Sequence, residues 1–245
     1  MKKRFCLYTA AAAVVVAIIV IGVAGCNEDP SENHDNVASY LGRYNAFPDS
    51  RDGQIYRTVK IGNQLWMAEN MNYQPSTGNS WCYNNESSYC DKYGRLYNWE
   101  AAMAVCPAGW RLPDTADWNT LSEKVGGTRG YLDVDYWGDT ILICPGVSKK
   151  LKSTSGWNDR QHGGSGNGTD DFGFTALPGG VFFSDSQYGG YYEQFGESGA
   201  WFTATALSDT LAYIRFINTD WHDGDLVGYA DPKKFGWSVR CIKNN

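Results

Sequence analysis

The hydrophobic and polar positions follow several rhythms along the chain. Residues 10 to 24 are an unbroken apolar run, and residues 27 to 50 have no sustained period and many Asn, Asp, Ser and Pro. Gln54 to Ile61 alternates apolar and polar, as a half-buried strand does. Gly62-Asn63 follows, then a second strand-like run from Gln64 to Ala68, which together predict a tight hairpin. Leu96 to Val105 is rich in helix formers, with Leu96, Trp99 and Met103 on one face, and Cys106-Pro107 ends it. A second helix is predicted after Pro113, with Asp114 as N-cap and Asp117 in the capping-box position. Its apolar face is Trp118, Leu121 and Val125, and Gly126-Gly127 stops it. Residues 128 to 172 read as irregular, with Gly163, Gly164, Gly166 and Gly168 marking a loop. Strand-like runs follow at 174–177, 180–183, 200–205, 211–217 and 236–242. The expectation is an α+β domain with two helices near the front, a β-rich second half and long loops.

The start of the chain bears on location. Lys2, Lys3 and Arg4 precede the apolar run, and Val23-Ala24-Gly25-Cys26 closes it. This stretch resembles a bacterial lipoprotein signal, which implies removal of residues 1–25 and acylation of Cys26. The competing reading is an uncleaved anchor helix, since no charge falls between Arg4 and Glu28. Residues 26–51 are then a flexible tether, in which His34 is a solvated side chain, and residues 52–243 are the globular domain. Asn27, Glu28 and Asp29 after Cys26 resemble the surface-export signals of some bacterial lipoproteins, which implies the outer membrane or cell surface.

Composition narrows the class. Ten Trp, sixteen Tyr, ten Phe and 28 Gly favour short strands and turns over a helical bundle. Taking Lys2, Lys3 and Arg4 from the 21 Lys and Arg leaves 18 against 27 Asp and Glu, a surface that repels phosphate backbones, so nucleic acid is not an expected partner. Of seven Cys, five fall in the domain. Cys82 and Cys90 flank turn chemistry that suits a local bridge, and a bridge from Cys106 to Cys241 would staple the domain's ends, leaving Cys144 unpaired. Zinc competes as a reading, but no close ligand spacing is present.

Five ordered motifs carry a more specific resemblance: Gln64-Leu65-Trp66-Met67-Ala68-Glu69-Asn70, the run from Tyr93 to Ala102, the run from Cys106 to Pro113, the run from Phe172 to Gly180, and the run from Gly236 to Lys243. Together they resemble the Fibrobacter succinogenes major paralogous domain family, which is similar to C-type-lectin-like folds and to the formylglycine-generating enzyme superfamily. The resemblance implies an exported or surface protein, often a lipoprotein, with no established catalytic mechanism. It also implies a disulfide tying the first helix to the last strand, here Cys106 with Cys241, and supports a Cys82–Cys90 loop bridge. Trp66, Trp99, Trp110 and Trp237 are expected in the core, and Arg111 and Arg240 are expected to pair with carboxylates near it.

Catalytic signals are few. Gly196-Glu197-Ser198-Gly199-Ala200 nearly matches a nucleophile elbow but ends in Ala, and only His162 and His222 are candidate bases in the domain. Formylglycine-type oxidation needs reactive cysteines, and only Cys144 would remain. No cofactor is expected. Calcium is the one ion the acidic loops would suit, through Asp133, Asp135 and Asp139, Asp170 with Asp171, or Asp223 with Asp225. Trp157-Asn158-Asp159 spells a tripeptide of lectin calcium sites but lacks its companion triplet and nearby Cys. Recognition is the reading that remains. Tyr188, Tyr191 and Tyr192 lie in one Gly-rich loop, Trp221 and His222 in another, and Trp157 in a third, as rigid amphipathic side chains used for binding. The expected function is a non-catalytic cell-envelope lipoprotein, anchored to the membrane by its lipid, whose lectin-like domain binds polysaccharide or a surface protein. An enzyme of the formylglycine-generating superfamily or a hydrolase, and a purely structural envelope protein, are the alternatives.

Overall fold

Alternation and turn chemistry place the first strands. The computed structural model describes residues 45–127, 131–134, 140–185, 187, 189–220 and 224–244. Strand β1 (Asn45–Pro48) pairs antiparallel with β2 (Ile55–Ile61), which returns through Gly62-Asn63 as β3 (Gln64–Met67). Gly62 takes φ 61°, as the first central position of a two-residue hairpin turn requires. Strand β1 thus joins the sheet ahead of residue 52, where the domain was expected to start. Asp49 and Arg51 reinforce that start: Arg51 binds the Asp49 carboxylate at 2.6 Å and donates to the Val105 carbonyl at 2.8 Å.

Next come β4 (Ser80–Trp81), a 3-10 turn (Tyr83–Asn85), α1 (Ser87–Tyr93), β5 (Leu96–Tyr97), α2 (Trp99–Ala104), β6 (Trp110–Arg111) and α3 (Thr115–Lys124). The helix expected from Leu96 starts later, because Asn98 caps it by accepting from the Ala101 amide, while Leu96 and Tyr97 pair with neighbouring strands. Helix α3 carries the expected capping box between Asp114 and Asp117. The stretch expected to be irregular holds β7 (Tyr131–Val134), β8 (Thr140–Cys144) and the short α4 (Ser148–Leu151). The remaining strands are β9 (Val181–Phe183), β10 (Tyr191–Glu193), β11 (Ser198–Ala206), β12 (Leu211–Asn218), β13 (Leu226–Pro232), β14 (Trp237–Ser238) and β15 (Ile242–Lys243). Residues 174–177 form no strand; only Ala176 bridges, to Lys152.

The strands assemble into a five-stranded sheet (β1-β2-β3-β15-β6), an eight-stranded sheet (β4-β5-β14-β11-β12-β13-β8-β7) and the β9–β10 hairpin. The fold is α+β and mostly sheet. Among the described residues, a small apolar cluster around Ile141, Ile143 and Val227 and two large ones form the core. One gathers Tyr56, Met67, Tyr97, Phe202 and Trp237. The other packs Trp66, Trp118, Phe174 and Trp201, with Trp66 4.9 Å from Trp118 and Trp118 5.7 Å from Trp201 between ring centres. Trp66, Trp110 and Trp237 are buried as expected; Trp99 is half-buried, its indole N–H donating to the Thr203 carbonyl.

Arg111 pairs with a carboxylate, that of Asp117. Arg240 does not. It is fully buried, and its guanidinium donates to Asn70 Oδ1 (2.9 and 3.2 Å) and to the carbonyls of Phe174 and Thr175, while lying 4.2 Å above the Phe174 ring. Asn70 Oδ1 also accepts from Trp201 Nε1 at 2.9 Å, and Asn70 Nδ2 donates to the Tyr93 carbonyl. Burial pushes the Arg240 guanidinium down to about 9, which leaves it charged at neutral pH. The motifs that hold Asn70, Phe174 and Arg240 thus meet at one buried cation solvated by neutral oxygens.

Candidate binding face

Two loops build the face. The first runs from β4 through the 3-10 turn into α1 and is closed by the Cys82–Cys90 disulfide, with Cα atoms 5.0 Å apart. Asn84 and Asn85 turn it with φ of 52° and 59°, a conformation that Asn tolerates better than most residues. This turn presents Tyr83 and Tyr89. The second is the β9–β10 hairpin with the turn after it, presenting Tyr192 and Phe195. Gly180 lets the two meet: a Cβ there would lie 2.8 Å from the Tyr83 ring and 2.6 Å from the Glu193 carbonyl.

The rings form one connected ridge. Tyr83 lies 5.2 Å from Tyr192 and 4.9 Å from Phe195, and Tyr89 meets Phe195 edge-on at 4.9 Å. Phe182 and Trp81, stacked at 4.3 Å, support it from below. Tyr83, Tyr89, Tyr192 and Phe195 are half-buried, and Tyr191 is 50% exposed. The Tyr192 hydroxyl donates to Asn85 Oδ1 at 2.7 Å, locking hairpin to loop. Burial raises the phenol pKa values of Tyr83 and Tyr192, so both stay neutral hydroxyl donors at physiological pH.

Polar groups surround the ridge. Asn158 donates its backbone N–H to the Gly196 carbonyl at 2.7 Å, which brings the Trp157-Asn158-Asp159 loop against the turn holding Phe195. Asn158, Asp159, Glu193, Glu197 and Asp220 are exposed. The Thr219 amide donates to the Glu197 carbonyl at 3.0 Å, and Asp220 accepts from the Gln161 amide at 2.9 Å. Loops distant in sequence therefore converge beside the rings.

The expected binding residues divide. Tyr192 lies on the face, whereas Tyr191, its neighbour in β10, points to the other side of the hairpin and packs on Phe183 at 5.4 Å. Trp157 does not: it is 4% exposed, its indole N–H is shared by Ser153 Oγ and the Ala176 carbonyl, and Lys152 covers its ring, so it is a core residue anchoring a polar loop. Tyr188, Trp221 and His222 lie outside the described residues, as do Cys26, Asp135, Asp139 and Asp223. Tyr83, Tyr89 and Phe195 were not expected; two tyrosines inside a disulfide-sized Cys82–Cys90 spacing were the available signal.

No group of three metal-ligating side chains lies together among the described residues. Asp133 is exposed, and Asp225 accepts from the Gly146 amide at 3.4 Å. Asp170 accepts from the Thr175 amide and hydroxyl, each at 2.7 Å, which is turn chemistry. Ser198 of the near-elbow is buried in β11, and its hydroxyl accepts from Asn218. Cys144 is a buried free thiol. Two further clefts lie elsewhere, about 420 Å³ beside Met103, Trp110 and Leu112, and about 340 Å³ beside Arg57, Asp170 and Thr175.

The second disulfide joins Cys106, just after α2, to Cys241, just before β15. No curated protein and no solved structure matches the chain. The family model described as the Fibrobacter succinogenes major domain matches residues 59–243, the span that contains the ridge, both disulfides and the buried Arg240. The chain belongs to that family.

Proposed function

We propose that this chain is a non-catalytic, lipid-anchored cell-envelope protein whose domain is lectin-like and binds extracellular polysaccharide through the ridge of Tyr83, Tyr89, Tyr192 and Phe195. The observation that carries this reading is a cluster of half-exposed rings bordered by exposed carboxylates and amides on converging loops. Sugar rings present C–H faces that stack on aromatics, and their hydroxyls pair with groups such as Asn158, Asp159 and Glu193. The neutral Tyr83 phenol adds a donor. The Cys106–Cys241 link near the chain's last strand supports the lectin-like comparison. The apolar run ending at Cys26 supports the lipid anchor.

The test is incubation of the full chain with cellulose, hemicelluloses and a soluble glycan panel, with and without a calcium chelator, measuring depletion from solution. Saturable depletion by at least one glycan is the expected outcome, and loss of binding on chelation would assign calcium to the site. Absence of binding to every glycan would turn the reading towards a surface-protein ligand.

A further inference from the structure

Arg95 stands beside the disulfide that closes the first loop of the ridge. Its Nε donates to Ser80 Oγ at 3.0 Å, and its Nη1 lies 3.6 Å from Cys82 Sγ and 3.7 Å from Cys90 Sγ. A guanidinium in contact with both sulfurs stabilises the thiolate that leaves when a disulfide is attacked. Cys82 is partly exposed and Cys90 is buried at 3%, so an incoming thiolate reaches Cys82 first. The two cysteines are only eight positions apart, and Asn84 and Asn85 between them hold left-handed backbone conformations. The other disulfide is alike in exposure, with Cys106 partly exposed and Cys241 buried, and differs in its closure, which spans 135 positions.

We infer that Cys82–Cys90 is an exchange-competent disulfide, opened by an extracellular dithiol, and that its redox state controls whether Tyr83 and Tyr89 are held in the ridge. In the first step a thiolate of the dithiol attacks Cys82 Sγ. The S–S bond breaks, a mixed disulfide forms, and Cys90 leaves as a thiolate beside Arg95. The dithiol's second thiol then attacks its own mixed-disulfide sulfur and releases Cys82. The reductant loses two electrons and becomes a cyclic disulfide, and its two protons end on Cys82 and Cys90. With the bridge open, the turn loses its closure and the two rings lose their fixed spacing against Tyr192 and Phe195.

The exchange claim stands apart from the polysaccharide reading; only the control of the ridge rests on it. The experiment treats the folded full chain with dithiothreitol, quenches aliquots with iodoacetamide, and follows each cysteine by peptide mass spectrometry. Cys82 and Cys90 are expected to label on the order of tenfold faster than Cys106 and Cys241. Arg95→Gln is expected to slow the first pair several-fold and leave the second unchanged, and Ser80→Ala, which frees the guanidinium, should shift the same rate with less risk to folding. Equal rates for the two disulfides, or earlier opening of Cys106–Cys241, would overturn the inference, as would first-pair rates unchanged in both variants. Hydroxyl-radical footprinting of the selectively opened chain, read by peptide mass spectrometry, reports the exposure of Tyr83 and Tyr89 individually. An unaltered tyrosine signal would sink the control of the ridge while leaving the exchange chemistry intact, whatever the glycan panel gives.

Discussion

At Asn70 a single carbonyl oxygen takes three donors, two from Arg240 and one from Trp201. Truncating it removes two of the buried cation's hydrogen bonds and leaves a buried indole N–H without its acceptor. Asn70→Ala is therefore expected to cost about 3–5 kcal/mol, read as a lower urea midpoint with unchanged slope. Asp117 gives a pH signature. Burial alone would raise its carboxyl, but hydrogen bonds from Arg111 and the Asp114 amide, with the Arg111 charge, outweigh that and hold it below the ordinary value. A carboxyl depressed in the folded state contributes stability that is present above the unfolded pKa and lost as pH falls through the folded one. Stability should thus decline below about pH 4. Asp117→Asn should flatten that decline and lower stability at pH 7, as thermal unfolding across pH would record. At this scale the sequence was legible where a residue's class decides its place, as for Trp66 and Trp237. It was illegible where the partner is a neutral group far along the chain: Asn70 and Arg240 are 170 positions apart. Trp157 misled because an aromatic in a loop sequence has the same composition whether it faces solvent or plugs the core.

Among the elements, capped helices and alternating strands were readable before the fold was known. The β2–β3 hairpin and α3 carry their own punctuation in Gly62-Asn63 and Asp114–Asp117. Strand β13 hid because Gly228 weakens its strand pattern, yet that glycine is required: it faces Arg215 across the ladder, and a Cβ there would strike the guanidinium. Helix α1 hid because the Asn and Ser between Cys82 and Cys90 read as turn chemistry. Glycine substitutions separate the physical causes. Gly94, following α1, has φ 76°, and a Cβ would lie 2.7 Å from Asn70 Cβ and from the Met71 carbonyl. Gly53 also has positive φ, but nothing lies within 4 Å of its Cβ position. Gly53→Ala is expected to cost about 1 kcal/mol from backbone strain alone, and Gly94→Ala roughly 2–4 kcal/mol because overlap adds to it. Equal losses in chemical denaturation would contradict this assignment.

Across the whole molecule the two disulfides do different work. Cys106–Cys241 restricts the unfolded chain over 135 positions, while Cys82–Cys90 restricts eight. Replacing the first pair by Ala should cost about 4–5 kcal/mol and the second about 2–3 kcal/mol, measured as separate double variants. The pairing was anticipated from cysteine positions and family resemblance together, and the α+β class from the order of helical and strand-like runs. The arrangement of the binding face was not, because it is made by loops around residues 83, 158, 192 and 220 that meet only after the sheets form. The central claim is that the aromatic ridge of this Fibrobacter succinogenes major domain binds polysaccharide. The most direct measurement is a binding isotherm for the best glycan of the panel, comparing the native chain with Tyr89→Ala/Tyr192→Ala under conditions where both are folded. The account predicts saturable binding by the native chain and a loss of about tenfold or more in affinity for the variant. Identical isotherms, or no saturable binding by the native chain, would contradict it.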